Sequence, residues 1–99
     1  MNLPPTTDTD TIELWFKSQC DHLWEHQNGL KLETTDNPGW LMMIDITADE
    51  SKVSVFSDHL KKQWQANCAF KHSKLEIYAE SLNNCLAATA YILSSRCLK

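Results

Sequence analysis

His22 and His26 stand four apart, the spacing at which two imidazoles on one helix reach a single metal ion, with Cys20 and Glu25 close by. His-Leu-Trp-Glu-His is not the zincin pattern, in which Glu directly follows the first His and acts as base. A third ligand is not evident, although the fold could bring His59 or His72 close in space. His22 therefore reads as a helix-surface residue and His26 as a cap or polar-core residue, and a small metal-dependent hydrolase using His22/His26 stands as the alternative function. Cys20 follows Trp15 and Phe16 by about one helical turn, which buries a thiol rather than ionising it. Two glycines, Gly29 and Gly39, cannot build a phosphate-cradling loop, and no serine nucleophile elbow is present. Asp49-Glu50 reads as an exposed acidic turn between strands.

The elements that position these residues follow from composition and period. With 99 residues, 42% of them hydrophobic and 22% charged, the chain has the makings of one core, read as a flexible arm over residues 1–9 and a single domain over 10–99. Its first ten residues lack the basic and apolar regions of an export signal, so a cytoplasmic location is expected. Cys20, Cys68, Cys85 and Cys97 form no Cys-x-x-Cys pair and read as small buried hydrophobes, which excludes a zinc ribbon or a thioredoxin-like motif. Residues 8–50 hold ten acids against two bases, a balance of −8, while residues 51–99 hold three acids and seven bases, a balance of +4. Such asymmetry favours a basic partner for the N-terminal half and argues against a nucleic-acid binder, whose footprint is a basic face.

Asp10 to Glu13 has the form of a capping box, and Ile12, Trp15, Phe16, Cys20 and Leu23 recur at helical spacing, predicting a helix over 10–26 that stops at Asn28-Gly29. Trp24 falls just off the apolar stripe. Leu30 to Thr34 alternates as a strand. Asn37-Pro38-Gly39-Trp40 fits a type II turn, with Gly39 supplying φ > 0 and Trp40, Met42, Ile44 and Ile46 continuing on one face of a central strand. A third strand is expected over Val53–Phe56 and a loop over Ser57–Gln63. Trp64 to Phe70 and Leu75 to Ala79 read as a second hairpin, and Ser81 caps a closing helix whose negative end suits Arg96 and Lys99. The expected fold is α+β: an antiparallel sheet of four to five strands with an N-terminal and a C-terminal helix packed on one face.

Trp15, Gln19-Cys20, Trp24-Glu25-His26, Gly29, Glu33-Thr34, Asp36-Asn37-Pro38-Gly39-Trp40 and Asp45, in this order, resemble the immunity proteins of bacterial polymorphic-toxin systems, in particular the family numbered 53. That family is α+β, carries a Trp-Glu and a Pro-Gly-Trp motif, and is encoded beside toxin genes. Trp24, Glu25, Pro38, Gly39 and Trp40 occupy its motif positions, in roles that read as structural. This chain departs from the pattern in having His22-Leu23 before the Trp-Glu pair.

The resemblance implies an inhibitor that binds and neutralises a cognate toxin, with no catalysis, cofactor or metal. The acidic half is compatible with a basic toxin such as a nuclease, blocked by steric and electrostatic occlusion. Asp21, Trp24, Glu25, Asp36, Asp49 and Glu50 are the candidate partner-binding residues, and Asp45 is a further candidate that a central strand could turn inward. No nucleic-acid, membrane or small-molecule partner is expected. A self-associating structural or regulatory subunit, using exposed Trp24 and Tyr78, is the remaining alternative.

Overall fold

The computed structural model describes residues 7–46 and 50–94, with side chains for all of these except 50–54 and 71. Asp49, the Glu50 side chain, most of the expected N-terminal arm, and Cys97, Arg96 and Lys99 lie outside the described residues.

The chain begins in α1 (Asp8–Gln19), whose cap is Thr7: its Oγ1 accepts from the Asp10 amide at 3.1 Å. The helix therefore starts two residues before the predicted one. It also ends earlier, at Gln19, and a separate turn of helix, α2 (Trp24–Gln27), follows a corner in which His22 takes φ 76. A left-handed residue cannot continue a right-handed helix, so the single helix over 10–26 is corrected to two.

Strands β1 (Leu30–Thr35) and β2 (Gly39–Asp45) form the first hairpin and β3 (Asn67–Lys71) and β4 (Lys74–Ala79) the second. The sheet is antiparallel throughout in the order β1-β2-β4-β3, with β2 and β4 central. Register places Met42 beside Ile77 and Ile44 beside Leu75, and all four are buried on the helix-bearing face. Leu41, Met43, Glu76 and Tyr78 alternate onto the opposite face, against which no helix packs appreciably among the described residues.

The Pro-Gly-Trp turn differs from expectation in one respect. Gly39 does not adopt φ > 0; it is already the first residue of β2. Its lack of a side chain serves close approach instead, because a Cβ there would collide with Oη, Cε1 and Cζ of Tyr78, whose ring lies across it. The second hairpin turns on His72 and Ser73, both left-handed at φ 52 and 63, as a two-residue type I′ connection requires.

The expected strand over Val53–Phe56 and loop over Ser57–Gln63 are corrected to one helix, α3 (Glu50–Trp64). Phe56, Leu60 and Trp64 are spaced for one helical face, and Leu60 is fully buried. The helix ends without glycine or proline: Gln65 turns left-handed at φ 52, its amide donating to Lys61 O and that of Ala66 to Leu60 O, both at 3.1 Å. Trp64, predicted to open a strand, is the last residue of α3.

The closing helix α4 (Leu82–Leu93) has the predicted cap, Ser81 Oγ accepting from the Asn84 amide at 3.3 Å. It lays Cys85, Ala88, Thr89 and Ile92 into the core over β2 and β4, with α1 packed beside it on one flank and α3 on the other. Thr89 is buried without cost because its hydroxyl donates to Cys85 O at 2.8 Å. At the margin of the core, His59 stacks on Tyr91 at 4.5 Å between ring centres, with Trp64 edge-on to His59 and Phe56 edge-on to Tyr91, which fastens α3 to α4.

Candidate functional site

The corner between α1 and α2 is built by two carboxylates. Asp21 Oδ1 accepts from the amides of Leu23 and Trp24 at 2.9 and 2.8 Å. Glu25 reaches back, Oε1 and Oε2 accepting from the amides of Asp21 and His22 at 2.9 and 2.8 Å. Four backbone donors freed by the helix break are thereby satisfied by two side chains, the reciprocal logic of a capping box. The amides of Trp24 and Leu23 hold the Asp21 carboxyl below its ordinary value. Hydrogen bonding to its own backbone, opposed by desolvation and reinforced by the amides of Asp21 and His22, does the same for Glu25.

Because both folded-state values are depressed, the stabilisation from this pair is complete above the ordinary carboxylate range and is lost as pH falls through the folded values. Thermal melts followed by circular dichroism should show Asp21→Asn/Glu25→Gln melting a few degrees below the natural chain at neutral pH. The gap should close between about pH 5 and pH 2. A gap independent of pH would mean that the corner does not rest on ionised carboxylates.

Trp24 packs edge-on against Trp15 at 5.9 Å and lies tilted on Phe16 at the same distance. Its place off the α1 stripe is explained by the corner, which folds it back over the helix it no longer continues. Beyond it, a cleft of about 520 Å³ opens between the corner and the β3–β4 turn, walled by Trp15 and Trp24 and edged by Gln19, Asn28, Asp45 and Lys74. Asp45 is a tie rather than a free acid: Oδ1 pairs with Lys74 Nζ at 2.7 Å and Oδ2 accepts from the Gly29 amide at 3.0 Å, joining the ends of three strands. Lys74 carried no signal in the sequence, since its partner is 29 residues away.

The other described acids of the N-terminal half are exposed, those of α1 on the helix-bearing side of the sheet and Glu33 on its open face. Asp8, Asp10 and Glu13 are exposed on α1, Glu33 is exposed on β1, and Asp36 is exposed in the turn that follows. Glu13 holds Lys17 at 3.5 Å in an exposed pair, worth little energetically. The structure thus brings Asp21, Trp24 and Glu25 together at one end of β1 and leaves Asp36 at the other, about 20 Å away along six strand residues.

His22, His26 and Cys20 are the sequence candidates for chemistry. His22 lies outside any helix and in left-handed backbone, so the helical i, i+4 relation to His26 on which the metal-hydrolase alternative depends does not exist. Among the described residues no group of three or more His, Cys, Asp or Glu converges. Burial, reinforced by the charges of Glu25 and Asp21, pushes the Cys20 thiol up, away from the thiolate a nucleophile needs.

Residues 9–88 match the family described as Immunity protein 53. The chain belongs to the Immunity protein 53 family. No curated protein and no solved structure matches it. Trp24-Glu25 and Pro38-Gly39-Trp40 both fall inside the span matched to Immunity protein 53, and the two motifs have distinct physical tasks: Glu25 holds a backbone corner, and Gly39 makes room for an aromatic ring. Membership in Immunity protein 53 supports an immunity role with a toxin as partner. No helix among the described residues is long and apolar enough to cross a membrane.

Proposed function

We propose that this chain neutralises one cognate toxin in the cytoplasm, without catalysis, by covering a basic surface of it with the acidic flank formed by α1, the α1–α2 corner and the β1–β2 turn. Family membership supports the immunity role. The observation that carries the choice of surface is the exposure of Asp8, Asp10 and Glu13 on α1 and of Asp36 in the β1–β2 turn. Such a flank steers a basic protein into encounter and excludes its polyanionic substrate once docked. A nuclease is the toxin class whose active face has that charge.

Within this surface Asp36 is presented by the turn, and Asp21, Trp24 and Glu25 set the shape of one end; Asp49 and Glu50, which lie outside the described side chains, are proposed as further acids of the contact. No nucleic acid, lipid or small molecule has a part in the mechanism. The test is direct. The toxin domain encoded beside this gene, purified with this chain, should form a 1:1 complex with a dissociation constant on the order of nanomolar, and co-expression should restore growth. Failure to bind that domain at micromolar concentration overturns the proposal.

A further inference from the structure

The outward N–H and C=O groups of an edge strand are a template for another strand, and proteins ordinarily cover, bend or interrupt them. The two edges of this sheet differ in that respect. β3 is packed against α3, whereas β1 packs substantially on β2 alone. The β1 ladder runs residue for residue from Leu30 to Thr35 without a bulge, and the strand contains no proline. Lys31 to Thr34 are exposed, Leu32 at 40%. Beneath it, on the helix-bearing side, a groove of about 390 Å³ runs between α1 and β1 with Ile12, Phe16, Leu30, Met42 and Leu86 as its walls.

The sequence of β1, Leu-Lys-Leu-Glu-Thr-Thr, is complementary to itself. Set antiparallel about Leu32, it places Leu32 opposite Leu32 of a second copy, Lys31 opposite its Glu33, Glu33 opposite its Lys31, and Leu30 opposite its Thr34. Two Lys–Glu pairs then lie on the open face, and the leucines lie together over the grooves. The neighbouring registers that keep both helix layers on one side, centred on Lys31 or on Glu33, put like charges directly opposite and are disfavoured. We propose that β1 is a homodimerisation edge, through which two copies join antiparallel about Leu32 into one continuous eight-stranded sheet. The association is isologous, so each favourable pair occurs twice. It uses neither Trp24, which is packed on α1, nor the identity of any toxin.

Sedimentation of the full chain from micromolar to near-millimolar concentration should show a reversible monomer–dimer equilibrium. Lys31→Glu sets Glu opposite Glu at both sites and Glu33→Lys sets Lys opposite Lys, each weakening the dimer by about tenfold or more. The double variant Lys31→Glu/Glu33→Lys restores opposite charges and should restore association. Within the chain's own sheet Lys31 faces Met43 and Glu33 faces Leu41, so no internal ion pair is broken, and thermal melts of all three variants should lie close to that of the natural chain. A strict monomer over this range, a dimer indifferent to the single substitutions, or a double variant that fails to recover association would each overturn the proposal.

Discussion

Truncating Ile77 to alanine is expected to lower stability by about 2–5 kcal/mol. Ile77 is fully buried at the middle of central strand β4, between Met42 on β2 and Cys68 on β3. Its own carbonyl accepts from Cys85 Sγ at 3.6 Å, which shows how closely α4 sits over it. Removing its methyl and methylene groups forfeits burial and leaves a cavity lined by a sheet and helix that cannot collapse inward without breaking their ladders. A domain of this size has about 5–15 kcal/mol in all, so the variant should be markedly depleted in folded protein. Urea unfolding should show a lower midpoint with an unchanged slope. Val55→Ala, at a side chain 74% exposed on α3, is the control and should change stability by no more than about 0.5 kcal/mol. A loss below about 1 kcal/mol at Ile77 would contradict the core described above.

Reversing Glu13, Asp36, Asp49 and Glu50 to lysine together should slow association with the cognate toxin by about 10- to 100-fold at low salt. The substitutions carry the net charge from −4 to +4. They avoid Asp21, Glu25 and Asp45, whose carboxylates hold backbone or strand ends. Steering acts mainly before contact, so the effect belongs in the on-rate, and its dependence on ionic strength should reverse in sign. Stopped-flow mixing at two salt concentrations measures both. An on-rate indifferent to four reversed charges would remove the acidic flank from the mechanism while leaving the family assignment in place.

Much of this fold was legible because its strands alternate cleanly. Trp40, Met42 and Ile44 share a face with period two, and Ala79, Ile77 and Leu75 match them across the ladder. Ser81 announced its helix by residue type. Two elements were not legible, for physical reasons. The face of α3 is spelled by Phe56, Leu60 and Trp64 among mostly polar residues, and it stops at a left-handed Gln65, so neither a continuous apolar stripe nor a glycine marks it. The break before α2 has no glycine or proline either; only the hydrogen bonds of Asp21 and Glu25 pay for it. Their spacing in the sequence, an acid followed four residues later by another, is the one signal that could have located the corner. The candidate site was legible as a place, Trp24-Glu25, and not as a task. Side-chain identity does not say whether a carboxylate faces a partner or its own backbone.

The Asp21–Glu25 corner bears on how loss of protection is to be interpreted. A genetic screen for cells that succumb to their own toxin will recover substitutions at Asp21, Trp24 and Glu25 early, and their clustering will look like a contact epitope. Each of these residues also holds a folded corner, so depletion of a loosened inhibitor by proteolysis gives the same phenotype as loss of a contact. Measuring the steady-state amount of each variant separates the two causes: contact residues yield abundant but ineffective protein, and corner residues yield too little of an otherwise competent one.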